Sequence, residues 1–133
     1  MSIQINYKSG ISKKILSNLV LFVDEKFNIK GIKNYISNSE FAYISDLLKT
    51  SDLKKNLLVF EINSKKKIFL VSIKRDINTS DIENLGAKFH GHINYDNKND
   101  YFVNSDTISS KIKNFIGYFL HGIKLKSYEF NIY

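Results

Sequence analysis

The feature that most constrains the fold of this 133-residue chain is the alternation of short apolar runs with segments of helical periodicity. Leu19–Val23 is a continuous apolar run, which is typical of a strand buried on both faces. Leu57–Ile62 and Ile68–Ile73 are two further strand candidates, and the short polar stretch between them predicts a β-hairpin. Strands interleaved with helices therefore predict an α/β domain around a mixed sheet that contains one hairpin.

Two weaker strand signals and one broken helix complete the first part of this pattern. Ile3–Lys8 alternates apolar and polar residues, and Tyr101–Val103 is a short apolar candidate. Apolar residues recur at helical spacing over 32–48, but the pattern breaks at 37–40, where Ser and Asn suit a cap or turn. We expect one interrupted helix or two short helices there.

Two later helices are predicted from their starting residues. Ser80 and Glu83 have the spacing of a capping box, which predicts a helix that begins after Ser80. A last helix is expected to open at Ser109 or Ser110 and to carry an apolar stripe through Ile123. The aromatic residues beyond that stripe are expected to form an exposed contact surface.

Composition limits the chemistry that the chain can perform. Cysteine is absent, so disulfides, thiolate nucleophiles and cysteine-based zinc sites are excluded. No apolar run approaches the ~20 residues needed to span a bilayer, and no secretory signal is visible after Met1. We therefore expect a cytoplasmic protein that does not contact membranes.

The basic charge of the chain has two explanations. Twenty Lys and Arg residues against thirteen Asp and Glu residues give a formal net charge of +7. Codon usage in an AT-rich genome is one explanation, and contact with nucleic acid is the other. Arg75 is the only arginine, which weakens any sequence-specific reading of DNA. The candidate nucleic-acid contacts are Lys65, Lys66, Lys67, Lys111, Lys113, Lys124 and Lys126.

The lysines at 65–67 lie in the predicted hairpin turn. A solvated tip is the simpler interpretation of these three residues, and a phosphate clamp is the alternative.

No catalytic motif can be assembled from the sequence. His90 and His92 are separated by one residue, but no third ligand lies at a compensating spacing, so we expect them to be structural. The six glycines are dispersed and form neither a dinucleotide-binding nor a P-loop pattern. No catalytic residue, metal ligand or cofactor is therefore predicted in this chain.

The C-terminal segment carries the most specific pattern. It resembles the Gly-x-x-Leu-x-x-Tyr-x-Phe-x-x-Tyr stretch that closes the N-terminal domain of leucyl (cytosol) aminopeptidases, the M17 metallopeptidase family. The five matching positions are Gly122, Leu125, Tyr128, Phe130 and Tyr133.

Weaker similarities to this family follow along the chain. Residues 47–54 resemble its Leu-Leu-Lys-x-Gly-Asp-Phe-Lys segment, although Ser51 replaces the glycine. Residues 66–71 resemble the strand that precedes a Gly-Leu-Gly-Lys turn in this family, but residues 72–74 do not reproduce that turn. Residues 81–87 resemble the helix that follows it in the family.

The resemblance implies a macro-domain-like, three-layer α/β fold, with a mixed β-sheet flanked by helices, over residues 1–133 as a single domain. It implies that the catalytic C-terminal domain, which binds two divalent metal ions (Mn or Zn), is absent from this chain. The full-length protein would be a homo-hexameric metallo-exopeptidase that releases N-terminal amino acids from peptides, whereas this chain alone would not be an enzyme. Its partners would be its own catalytic domain and, as in some bacterial members, DNA.

An alternative function remains open. The chain could be a stand-alone α/β module that binds nucleic acid through its lysines or a nucleotide through a cleft. The nucleotide version is the weaker of the two, because it calls for a glycine-rich phosphate loop that the sequence lacks.

Overall fold

The computed structural model describes residues 18–93, 101–108, 110 and 112–131, with side chains described through Lys126. The described residues fall into two compact units. The sheet unit comprises 18–75 and 101–108, and the helix unit comprises 76–93, 110 and 112–131. The predicted strand Ile3–Lys8 lies outside the described residues.

The sheet unit contains four strands, two 3₁₀ helices and one α-helix. In chain order they are strand β1 (Asn18–Asp24), a 3₁₀ helix (Lys30–Tyr35), helix α1 (Asn38–Leu48), strands β2 (Leu57–Asn63), β3 (Lys66–Ile73) and β4 (Tyr101–Val103), and a short 3₁₀ helix (Ser105–Thr107).

The four strands form one mixed sheet in the order β2-β3-β1-β4. Strand β1 pairs in parallel with β3 on one side and with β4 on the other, while β2 and β3 form an antiparallel hairpin. The predicted α/β class, the mixed sheet and the hairpin are confirmed.

Burial explains why the central strands are continuous apolar runs. Every residue of β1 except Asp24 is buried, and residues 68–73 of β3 are buried as well. Because successive side chains of a strand point to opposite faces, both faces of these strands are shielded from water. Ile32 and Ile44 belong to the same apolar core as the side chains on one face of β1.

The predicted interruption of the first helical segment is confirmed, and it produces two short helices. Ser37 is the N-cap of α1: its Oγ accepts a hydrogen bond from the Glu40 N–H at 3.1 Å. The Glu40 carboxylate in turn accepts from the Ser37 N–H at 2.9 Å, which completes a capping box.

The helix unit consists of two packed helices, α2 (Thr79–His90) and α3 (Phe115–Asn131). The predicted capping box of Ser80 and Glu83 is wrong. Helix α2 begins at Thr79, because Asn78 Oδ1 accepts from the Asp81 N–H at 2.8 Å and Asp81 accepts from the Asn78 N–H at 3.2 Å.

The predicted start of the last helix is also wrong. Ser110 and Ile112 precede the helix, and Asn114 adopts the left-handed conformation with φ 59° directly before Phe115. Asn tolerates this conformation better than most residues, but the α-helix cannot continue through it. The helix therefore starts late, and it then runs through Ile123 to Asn131.

The two helices of this unit approach each other at glycine residues. A Cβ atom added to Gly86 would overlap the backbone carbonyl of Phe119, and one added to Gly122 would overlap the backbone of Glu83. Next to this contact the buried rings of Phe89 and Phe119 lie with their centroids 5.9 Å apart. The absence of a side chain at both positions is what allows the helix backbones to come so close.

Candidate functional site

The carboxyl ends of β1 and β3 lie at the same edge of the sheet unit, and β4 runs in the same direction but ends lower, level with Val20. Strands β3 and β4 flank β1 on opposite sides, and the chain visits β3 before β4. The order of the strands therefore changes direction at β1. In open α/β sheets, ligands bind outside the carboxyl ends of the strands at such a switch point. We call this region the carboxyl edge, formed by 24–28, 74–75 and 104–107.

Asp24 organises the loop that leaves β1. Its Oδ1 accepts hydrogen bonds from the backbone N–H groups of Lys26 and Asn28, both at 3.0 Å. Phe27, between them, has a φ of 55°, a conformation that is uncommon for a bulky residue, and its ring is buried. The two hydrogen bonds and the buried ring hold this loop in one conformation.

Asn104 ends the pairing of β4 with β1. Its N–H donates to the carbonyl of Val20 at 2.9 Å, and its Oδ1 accepts from the Asp106 N–H at 2.9 Å. Thr107 Oγ1 accepts from the Phe22 N–H at 2.9 Å and donates to the carbonyl of Asn104 at 2.8 Å. At Phe22, the hydrogen-bond acceptor for β1 is therefore the Thr107 hydroxyl instead of a backbone carbonyl of β4.

The side-chain amide of Asn104 is incompletely satisfied. Only 7% of the residue is exposed, and Nδ2 has no hydrogen-bond partner within the described part of the chain. Buried polar atoms are nearly always hydrogen-bonded in folded proteins, so an unpaired donor in this position calls for an explanation.

Charged residues follow each of the three parallel strands. Lys74 and Arg75 are exposed directly after β3, whose last residue, Ile73, lies opposite Asp24. Asp106 is exposed after β4. The edge therefore combines cations beside β3 with carboxylates beside β1 and β4.

None of the candidate site residues named from the sequence belongs to the carboxyl edge. The signal that marks it is a polar residue directly after each apolar run, namely Asp24, Lys74 and Asn104. That signal gains meaning only once the order of the strands is known, because polar residues follow most strands.

The structure separates the three hairpin lysines into different environments. Lys65 is exposed in the turn. Lys66 Nζ lies 2.8 Å from Glu40 Oε2, and the two side chains are only 12% and 13% exposed. Lys67 Nζ lies 3.9 Å from Glu61 Oε1 at the surface. The interpretation of all three as a solvated tip is therefore wrong for Lys66.

The ion pair with Lys66 alters the acidity of Glu40. Burial is the largest single influence and by itself would raise the pKa of this carboxyl group. The hydrogen bonds from Lys66 and Ser37, together with the Lys66 charge, outweigh burial and hold the pKa below its ordinary value.

The second group of candidate lysines belongs to the helix unit. Lys113 lies in the turn before α3, and Lys124 and Lys126 lie on α3; all three are exposed. Lys111 lies outside the described residues.

The three histidines all lie in the helix unit. His90 is buried at the last position of α2, and His92 is exposed in the turn beyond it. Burial, and secondarily the charge of Lys126, lower the pKa of His90. His121 Nδ1 contacts the Glu83 carboxylate across the two helices. In the described ranges, no three His, Asp or Glu side chains form a group that could hold a metal ion.

The first four residues of the C-terminal pattern lie on α3, whereas the sequence pattern predicts that the aromatic ones follow the helix stripe. Gly122 is buried against α2, whereas Leu125 is 47% exposed. Tyr128 and Phe130 are helical residues, and Tyr133 lies outside the described residues.

Comparisons of the chain with protein-family models, with curated proteins and with solved structures return no significant match. Among the described helices, none combines the length and the apolar character needed to cross a membrane.

Proposed function

We propose that this chain is a non-catalytic α/β domain that packs against another domain through α3, as the N-terminal domain of a leucyl aminopeptidase would. The supporting observation is the contrast between two residues of the C-terminal pattern on this helix. Gly122 is required by the contact with α2, whereas Leu125, three residues later, presents about half of its side chain to solvent.

The position of Leu125 favours a contact outside the helix pair. Residues three apart are neighbours on a helix surface, so Leu125 lies beside the close contact at Gly122 but is not covered by it. Covering the exposed part of a leucine side chain stabilises an interface by roughly 1 kcal/mol. A partner surface on this side of α3 would supply that cover.

The proposal extends to the whole protein that the sequence resembles. It would be a cytoplasmic aminopeptidase, with two divalent metal ions (Mn or Zn) in a C-terminal catalytic domain, assembled as a homo-hexamer. In that protein the present chain would form a macro-domain-like, three-layer domain without metal ligands of its own. Metal ions there would activate a water molecule and polarise the scissile carbonyl.

The decisive test is the reading frame that follows the codon for Tyr133. We expect it to encode the family signature Asn-Thr-Asp-Ala-Glu-Gly-Arg-Leu, and the extended protein to hydrolyse leucine p-nitroanilide in the presence of Mn²⁺. The 133-residue chain assayed alone is expected to be inactive. A frame without the signature, or chelator-sensitive hydrolysis by the chain alone, would contradict the proposal.

A matched pair of variants tests the role of α3 in the extended protein. Leu125→Glu is expected to loosen the packing of this domain against the catalytic domain, because it places a charge in the proposed contact. Leu53→Glu changes a leucine of similar exposure, 43%, in the sheet unit and is expected to leave the packing unchanged. Limited proteolysis between the two domains and thermal unfolding of the extended protein measure both, and equal behaviour of the two variants would exclude a contact at Leu125.

A stand-alone nucleic-acid-binding module is the second candidate function. The observation that favours it is the exposure of Lys113, Lys124 and Lys126 within a single unit. If these lysines bind duplex DNA, the logarithm of the association constant falls linearly with the logarithm of salt concentration. Fluorescence anisotropy at several salt concentrations measures this slope, and an affinity insensitive to salt would exclude the function.

A further inference from the structure

We propose that the outer edge of strand β2 binds a second copy of this chain, so that the two sheets join through antiparallel pairing of β2 with β2 about a two-fold axis. This interface is independent of the proposed aminopeptidase relationship, because it depends on β2 in the sheet unit, whereas that relationship depends on α3.

The outer side of β2 carries backbone groups that no other strand of the described chain meets. Strand β2 ends the order β2-β3-β1-β4. The Ser72 N–H donates to the carbonyl of Asn56 at 3.0 Å, directly across the hairpin. Since hydrogen-bonded and non-hydrogen-bonded pairs alternate in an antiparallel ladder, Leu57, Val59 and Glu61 occupy non-hydrogen-bonded positions. Their N–H and C=O groups therefore point away from β3, toward the open side.

The middle of this edge lacks the features that usually prevent pairing with another strand. Edge strands are commonly protected by proline, by charged side chains or by a bulge. The chain contains no proline, and residues 57–60 carry no charge. The register irregularity of β2 lies at its far end, between Glu61 and Asn63. Residues 57–60 are therefore open to pairing.

The side chains of β2 also suit an extension of the sheet. Phe60 belongs to the apolar core that includes α1, and Leu58 and Ile62 pack against that core. Leu57 and Val59, which alternate with them, lie on the opposite face. Leu58, Val59 and Ile62 are half-buried. A further apolar strand beside them would remove more of their surface from water, which favours association.

A second copy of the chain can meet this edge with matched residues. Because outward-pointing residues must face each other, odd-numbered residues of one copy lie opposite odd-numbered residues of the other. A two-fold axis at Leu58 places Leu57 opposite Val59 of the second copy. The same axis places Glu61 opposite Lys55 of the second copy. This register therefore pairs apolar residues with each other and opposite charges with each other.

Both charged side chains are accessible for this contact. Lys55 is exposed shortly before β2, and the Glu61 side chain is 74% exposed. An axis at Val59 would instead place Glu61 opposite Leu57, and an axis at Leu57 would place it opposite Leu53. The carboxylate would lose its cationic partner in both cases, so the charges favour the register centred on Leu58.

The contact is small, and the dimer is therefore expected to be weak. In this register two pairs of Leu57 with Val59 are hydrogen-bonded, one on each side of the axis, and each pair forms two backbone hydrogen bonds. A contact of this size must also offset the entropy lost on association, so we expect the dimer to form at chain concentrations of roughly 0.1–1 mM.

Sedimentation equilibrium of the 133-residue chain measures the association, and amide hydrogen exchange followed by NMR locates it. Between about 10 µM and about 1 mM we expect a monomer–dimer equilibrium, with exchange of the Leu57 and Val59 amides slowed about twofold or more at the higher concentration. A chain that stays monomeric throughout would overturn the proposal. A dimer in which these two amides exchange at an unchanged rate would do the same.

Two charge reversals test the register. Glu61→Lys and Lys55→Glu each place like charges across the two-fold axis, and each is expected to raise the dissociation constant about tenfold or more. In an equimolar mixture of the two variants, every lysine at these positions meets a glutamate of the other variant. The mixture is therefore expected to associate at least as tightly as the wild-type chain.

The matched controls are Glu25→Lys and Lys26→Glu, which make the same charge changes at exposed residues outside β2. Each control, and their mixture, is expected to change the dissociation constant less than about threefold, because only the net charge of the chain differs. Equal effects of the β2 variants and the controls would overturn the proposal, as would a mixture of the β2 variants that associates no more tightly than either variant alone.

Discussion

The Glu40 carboxylate joins helix α1 to strand β3 through a 2.8 Å contact with Lys66 Nζ, while its other oxygen caps the Ser37 N–H. One side chain therefore fixes the start of a helix and attaches that helix to the sheet. Because both partners are mostly buried, removing one leaves the other charge poorly solvated.

Glu40→Gln is expected to destabilise the chain by about 1–3 kcal/mol, since it leaves the Lys66 ammonium without a carboxylate in a shielded position. Urea unfolding followed by circular dichroism measures the free energy of unfolding. The matched control is Glu61→Gln, because Glu61 pairs with Lys67 at 3.9 Å at the surface and is 74% exposed. Its change is expected to stay below about 0.5 kcal/mol. Equal losses would show that burial of the first pair is unimportant.

The Glu40 pair also predicts a pH dependence of stability. The pKa of Glu40 is lowered in the folded chain, so the unfolded chain binds its proton at higher pH. The contribution is therefore complete above the ordinary value of 4.5 and is lost as the pH falls through the lower folded pKa. Unfolding free energies of the wild-type chain and Glu40→Gln, measured from pH 7 to 3, should converge on the acid side. A constant difference over this range would contradict the prediction.

Gly122→Ala is expected to destabilise the helix unit by about 2–4 kcal/mol, because the added methyl group would overlap the backbone of Glu83, which cannot turn aside as a side chain can. Gly31→Ala is the matched control, since a Cβ at Gly31 meets nothing within 4 Å. Its effect should lie within about 0.5 kcal/mol. Thermal and urea unfolding compare the two, and a tolerated Gly122→Ala would mean that the helices are further apart.

Lys126→Gln is expected to raise the pKa of His90, because the Lys126 charge contributes to its depression, and to leave it below the ordinary value of 6.5, because burial is the larger cause. NMR titration of the His90 ring protons measures the change. Lys124→Gln removes a nearby lysine of the same helix and serves as the control. An unchanged His90 pKa in Lys126→Gln would indicate that burial alone sets it.

The secondary structure of the sheet unit was largely predictable because its signals are local. The apolar run Leu19–Val23, the hairpin strands and the break before α1 are each visible within a few residues. The start of α3 was not predictable in this way. The apolar residues of helical spacing begin at Ile112, but the left-handed conformation of Asn114 prevents the helix from beginning before Phe115. The predicted start of α2 is two residues too late. Asn78 and Asp81 have the same three-residue spacing as Ser80 and Glu83, and the capping box forms at Asn78 and Asp81.

The candidate site was less predictable than the fold. Lys66 stands in a run of three lysines that looks uniformly solvated, and only its contact with α1 distinguishes it from its neighbours. Asn104 is one of many asparagines, and no local pattern distinguishes it. Its Nδ2 is unpaired because the folded chain buries the residue beside β1.

The sequence by itself determined where most strands and helices lie, that Leu19–Val23 is a strand buried on both faces, and that cysteine chemistry is excluded. Tertiary structure alone decided the strand order β2-β3-β1-β4, the glycine contact between α2 and α3, and the ion pair between Glu40 and Lys66. The reason is physical: periodicity reports which face of a segment is apolar, whereas pairing partners depend on contacts between residues far apart in the chain.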